Sequence, residues 1–207
     1  MPDNVTPTKQ QRVLYFDLLK AIAIFFMIML HVSAGGVTSF ELGSDKWCNA
    51  VWVDACTRWC VPVFVMISGA LALNPNKEIS LKKLWSKSIL RLVVAFLFWS
   101  LMYALYQQAT IGFPHLKAFI IFFLKGEFHL WFIFMIIMLY VLTPALKLIA
   151  ANRKVLIYTT VVCLLLMTIN GYKYLLFGWG DVVPYISEKI NLNVGYIGYY
   201  LLGYVLA

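Results

Sequence analysis

Residues 13–32 read VLYFDLLKAIAIFFMIMLHV, a run long and apolar enough to cross a bilayer as one helix. The run carries Asp17, Lys20 and His31. Lys20 and His31 are eleven positions apart, which is three helical turns plus about 20°. Both side chains are therefore predicted on one face, about 16 Å apart along the axis. Ionisable groups inside a membrane helix usually face protein or a wet cavity, so this strip is the first place to look for chemistry.

The composition is that of an integral membrane protein. Hydrophobic residues make up 62% of the 207, charged residues only 13%, and the mean hydropathy is +0.82, which excludes an ordinary soluble domain. The formal charge of +8 does not indicate nucleic-acid binding, because the basic residues cluster at the ends of apolar runs. The four cysteines are scattered and do not form a metal motif, so we predict structural cysteines and no metal site.

We predict an all-α, polytopic transmembrane bundle in one membrane domain, residues 1–207. The predicted spans are 13–34, 51–73, 88–107, 129–150, 154–170 and 193–207. The linkers around Lys83 and around Arg153 are rich in lysine and arginine, which predicts that they and the N-terminus are cytoplasmic. Residues 113–128 are too short to span and predict an interfacial or re-entrant element. The last span is short and lacks closing basic residues, so we expect a fragment of a longer protein.

The first helix offers the strongest candidates for catalysis. Asp17 and Lys20 are three positions apart and can pair on one face. His31 near the other end can act as a general base. Plainer roles remain open, namely an interfacial ion pair with a snorkelling lysine and an incidental histidine at a helix end.

The second span repeats this pattern of paired charges. Asp54 and Arg58 are i, i+4 neighbours, and Arg58 is followed by Pro62 and the small pair Ser68 and Gly69. Close helix packing is the favoured role for Ser68. A nucleophilic serine is less favoured, because no Gly-x-Ser-x-Gly elbow surrounds it.

Two further clusters lie at opposite ends of later spans. Arg91 follows Lys87 by one turn, and together with Lys82 and Lys83 they can bind the phosphates of a donor such as acyl-coenzyme A. Ordinary positive-inside topology explains these cations equally well. His129 and Trp131 follow Glu127 at the start of the fourth span; they either line a substrate entrance or anchor the helix.

These segments together resemble the acyltransferase-3 family of membrane acyltransferases. The resemblance is carried by three stretches in order: DLLKAIA at 17–23 followed by His31, RWCVPVFVMISG at 58–69, and HLWF at 129–132 leading to YVLTP at 140–144. It covers essentially the whole chain but only the first half or somewhat more of members with around ten helices. One departure is Lys20, where the family usually has arginine; lysine keeps the charge but loses the planar fork that makes two contacts.

The resemblance implies an O-acyltransferase of the bacterial inner membrane that uses acyl-coenzyme A, acetyl above all, and no bound cofactor. The acceptor it implies is a hydroxyl of a cell-envelope glycan or lipid-linked saccharide. His31 is then the general base, and the residues that contact the donor or the oxyanion are Lys20, Arg58 and Arg91. The residues in supporting roles are Asp17, Asp54, Ser68, His129 and Trp131. A transporter subunit, a non-catalytic membrane module and a truncated remnant remain as alternatives.

Overall fold

The computed structural model describes residues 14–75, 84–177 and 186–207, and within them it contains helices and no strand. The α-helices are α1 (Leu14–Ser39), α2 (Asp45–Thr57), α3 (Cys60–Ala72), α4 (Leu90–Thr110), α5 (Leu116–Lys125), α6 (Trp131–Ala150), α7 (Arg153–Phe177) and α8 (Ile186–Leu206). A π-helical turn, Leu84–Ile89, precedes α4, and a 3₁₀ turn, Phe128–Leu130, precedes α6. The predicted all-α class is confirmed.

Four of the described helical segments are long and apolar enough to cross a membrane. They are Leu14–Ser39, Asp45–Ala72, Ser86–Thr110 and Leu116–Ala150. A shorter apolar segment, Val194–Leu206, falls below that length. Such lengths and compositions are those of a multi-pass membrane protein.

The chain divides into two compact units, residues 1–64 and 65–207. In the first unit, α1 packs along α2. A glycine permits this contact, because a β-carbon at Gly36 would lie 3.0 Å from that of Ala50. Ser44 caps the start of α2, where its hydroxyl accepts a hydrogen bond from the Trp47 amide at 3.2 Å.

The predicted second span, 51–73, overlaps the single membrane-length segment Asp45–Ala72, which is divided into the two helices α2 and α3. The helical pattern breaks at residues 58–59, between α2 and α3. Pro62 explains the position of the break, because proline has no amide proton and its ring crowds the carbonyl four residues earlier, that of Arg58. Arg58 therefore lies at a helix end rather than in mid-helix.

In the second unit, the last two helices make the most extensive contact, α7 against α8. Gly198 of α8 lies where a β-carbon would be 3.0 Å from that of Cys163 on α7. Gly203 of α8 lies directly against the backbone of Met66 on α3, and Gly69 of α3 lies against the backbone of Tyr200. Small residues that allow backbones to touch are the usual means of packing helices in a membrane.

The ten-residue helix α5 lies between two glycines with left-handed backbones, Gly112 (φ 79°) and Gly126 (φ 69°). It packs on α4, where the Ser100 hydroxyl donates to the carbonyl of Phe123. Its other side exposes Leu116 and Leu124. The element is a short surface helix in the stretch for which an interfacial or re-entrant element was predicted.

Candidate active site

Lys20 and His31 lie on one unbroken helix, α1, and both are half-buried. Ala23, which is completely buried, lies on the same side of α1 as these two residues. The large apolar residues on the opposite side, Leu18, Phe25 and Val32, are 61%, 62% and 74% exposed. Ile24, one turn after Lys20 on the same side of α1, is 51% exposed, so this side of the helix is only partly covered.

Asp17 and Lys20 face each other one helical turn apart. The Nζ of Lys20 lies 3.9 Å from Oδ1 of Asp17, with the side chains 37% and 50% exposed. A pair this long and this exposed contributes little to stability. The ammonium therefore keeps most of its capacity to attract another anion.

Asp54 and Arg58 form a much closer pair. The Nε of Arg58 donates to Oδ2 of Asp54 at 2.6 Å. The carboxylate side chain is only 9% exposed, whereas that of the arginine is 72% exposed. The guanidinium thus neutralises a buried carboxylate with one edge, and its donors on the outward side remain available to a ligand.

The second unit contains a buried set of hydroxyl groups that the sequence analysis missed. The Thr143 and Tyr200 hydroxyls are 2.9 Å apart, and both residues are at most 1% exposed. Tyr140, one turn before Thr143 on α6, shares a hydrogen bond with Ser68 of α3. These contacts link α3, α6 and α8. Ser68 therefore takes part in helix packing, the role favoured for it from the sequence.

His129 and Trp131 flank the buried Leu130 and pack against different helices. The His129 ring lies 4.9 Å from that of Tyr103 on α4, and the Trp131 ring lies 5.7 Å from that of Tyr196 on α8. Glu127 caps the turn by accepting a hydrogen bond from the Phe128 amide at 3.2 Å. These contacts anchor the start of α6, and the two side chains do not form a common face.

Arg91 and Lys87 are exposed at the start of α4 and in the π-helical turn before it. The π-helical turn also contacts α6, whose last turn carries Lys147. One end of the second unit is therefore basic. Lys82 and Lys83, which were predicted to join this cluster, lie outside the described residues.

Several apolar helices of membrane-spanning length define a multi-pass integral membrane protein. The family model described as an acyltransferase domain matches residues 13–207, nearly the whole chain. The chain belongs to this acyltransferase-3 family and is a membrane acyltransferase that transfers groups other than amino-acyl groups. No curated protein and no solved structure matches it.

Proposed function

We propose that this chain is part of an O-acyltransferase of the bacterial inner membrane that moves an acyl group from acyl-coenzyme A to a sugar hydroxyl. The acceptor is a cell-envelope glycan or a lipid-linked saccharide, and acetyl is the acyl group to test first. The observation that carries the proposal is the combination of membership in the acyltransferase family with Lys20 and His31 on one side of α1.

His31 is assigned the role of general base. Its imidazole takes the proton of the acceptor hydroxyl while the hydroxyl oxygen attacks the thioester carbonyl carbon. The carbonyl oxygen becomes negatively charged as this bond forms. When the intermediate collapses, the carbon–sulfur bond breaks, and the imidazolium returns the proton to the departing sulfur. The products are an ester and free coenzyme A.

The three cations are assigned to the donor. Lys20 has only a long contact with Asp17, so it can stabilise the negative oxygen or a donor phosphate. Arg58 has outward-facing donors beyond its bond to Asp54. Arg91, with Lys87 beside it, suits the phosphates of the nucleotide part of coenzyme A, where arginine makes paired contacts.

Lys20 and His31 also suggest a direction of transfer. The topology predicted from charge puts Lys20 near the cytoplasmic side and His31 near the opposite side, about 16 Å further along the helix. The donor would then be held beside Lys20, and its thioester would meet the acceptor hydroxyl beside His31. We propose enterobacterial common antigen as the first acceptor to test, because the residues resemble those of the family's O-acetyltransferase for that glycan.

The test is thioester cleavage in membranes that contain the full gene product and acetyl-coenzyme A. We expect the wild-type protein to release coenzyme A and His31→Ala to abolish release while the protein still folds and inserts. Thr38→Ala is the matched control, because Thr38 is exposed on the same helix and its hydroxyl bonds only that helix's own carbonyls. Full turnover by His31→Ala would remove His31 from the chemistry. No release by the wild type would favour a transporter or a non-catalytic module.

A further inference from the structure

A long apolar groove lies between α1 and α2 in the first unit, and no role assigned so far uses it. Its volume is about 580 Å³, within the usual range for small-molecule sites. It runs along α1 from Ile28 to Phe40, a distance of about 18 Å. Its lining includes Ile28, Val32 and Ser33 on α1, Phe40 just after α1, and Lys46 and Val53 on α2.

The polar groups in this groove are arranged unevenly. Ser33 donates to the carbonyl of Leu30 at 3.0 Å, and Ser39 donates to that of Gly35, so both hydroxyls bond their own helix. Lys46 and Asn49 lie in the first turns of α2, at the end of the groove near Phe40. The groove is thus apolar along its length and has a cation and an amide at one end.

Lys46 is available to a ligand. Within the described residues, Lys46 takes part in neither the Asp17–Lys20 nor the Asp54–Arg58 salt bridge. Asp45 precedes it in the chain, Glu41 lies in the preceding turn, and both are exposed. The mouth of the groove therefore offers one positive group with two carboxylates beside it.

We propose that this groove binds one phospholipid, with an acyl tail along Ile28, Val32 and Val53 and the headgroup phosphate on Lys46. A phospholipid has a charged headgroup and apolar tails. The groove has the same division, with a charged group at one end and apolar residues along its length. The carboxylates of Glu41 and Asp45 favour a headgroup that also carries an ammonium, as in phosphatidylethanolamine, over one that is only anionic.

This lipid site is separate from the proposed chemistry. Val32 and Gly36, which line the groove, are turned about 100° and 140° around α1 from His31. Most of the groove therefore lies on another side of α1 from Lys20 and His31, and its Ile28 end comes within about 60° of His31. The presence or absence of a bound lipid can be measured whether or not the protein transfers acyl groups.

The experiment uses the full gene product in nanodiscs of phosphatidylethanolamine and phosphatidylglycerol in equal amounts. The protein is re-extracted in detergent, and native mass spectrometry measures the lipid that stays bound. We expect one retained phosphatidylethanolamine per chain. Lys46→Ala should lower lipid retention about tenfold, equivalent to about 1.4 kcal/mol. Val53→Trp should abolish retention, because the larger side chain occupies the groove in place of the lipid.

Matched controls are Lys117→Ala, an exposed lysine on α5, and Val161→Trp, an exposed apolar residue on α7; both should keep the lipid. Lys46→Ala is expected to fold normally, because its side chain is exposed and forms no described salt bridge. Three results would overturn the proposal: no lipid retained by the wild type, retention by the Lys46 and Val53 variants equal to that of the wild type, or a preference for phosphatidylglycerol. A photo-cross-linker at position 53 that captures protein rather than lipid would also overturn it.

Discussion

At the scale of single residues, the two salt bridges of the first unit differ in how strongly they hold their cations. The Asp54–Arg58 contact of 2.6 Å covers a buried carboxylate, so losing Arg58 would strand a buried charge. The Asp17–Lys20 contact of 3.9 Å is exposed and weak. A change at Lys20 therefore tests function with little cost in stability, whereas a change at Arg58 confounds the two.

We expect Lys20→Arg to retain thioester cleavage, because it keeps the positive charge at a position where the family usually has arginine. Lys20→Met should lower the rate by at least about tenfold, since it removes a charge worth roughly 1.4 kcal/mol of transition-state stabilisation. The measurement is coenzyme A release in membranes, normalised to the amount of inserted protein. Lys125→Met, at an exposed lysine ending α5, is the control. A full rate in Lys20→Met would take Lys20 out of the donor site.

Residue contacts close in sequence were predictable, and distant ones were not. The spacings of three and four residues predicted the pairs Asp17–Lys20 and Asp54–Arg58, and the structure contains both. The Thr143–Tyr200 bond joins residues 57 positions apart and depends on how three helices pack. The one available signal was that Tyr140 and Thr143 share a face of α6.

At the scale of helices, local chemistry explains where a helix is interrupted within a predicted span. One span was predicted through Pro62, because a long apolar run indicates the length of a span but not the place where its helix breaks. The short helix α5 lies in the predicted stretch 113–128, and its ten residues cannot cross a bilayer by themselves. The close contact of α3 with α8 was not predicted, because the glycines do not indicate which helix they meet.

We expect Gly69→Ala and Gly203→Ala each to destabilise the second unit by about 1–3 kcal/mol. Each added methyl group would overlap the backbone of the facing helix, which cannot move as a flexible side chain would. The measurement is the thermal melting temperature in detergent. Gly35→Ala is the control, because its β-carbon would meet nothing within 4 Å and alanine favours a helix by up to about 1 kcal/mol. Equal melting temperatures for all three variants would refute the close contact.

At the scale of the whole molecule, the distribution of charge predicts which ends of the helices face the cytoplasm. The turn between α6 and α7 is flanked by Lys147, Arg153 and Lys154. The turn between α4 and α5 contains no charged residue from Ile111 to Pro114. Positive residues in short loops stay on the cytoplasmic side. This orientation decides which of Lys20 and His31 meets the donor and which meets the acceptor.

We therefore expect a cysteine at Ile111 to react with a membrane-impermeant maleimide in intact spheroplasts, and one at Asn152 to react only after the membrane is permeabilised. Both positions are exposed, so a difference in labelling reports sidedness rather than burial. The variants are made in a background with the four native cysteines changed to alanine, and that background without an added cysteine is the control. The reverse labelling pattern would invert the topology. His31 would then lie nearer the cytoplasm, where acyl-coenzyme A is found, and its assignment as the base for an external hydroxyl would be wrong.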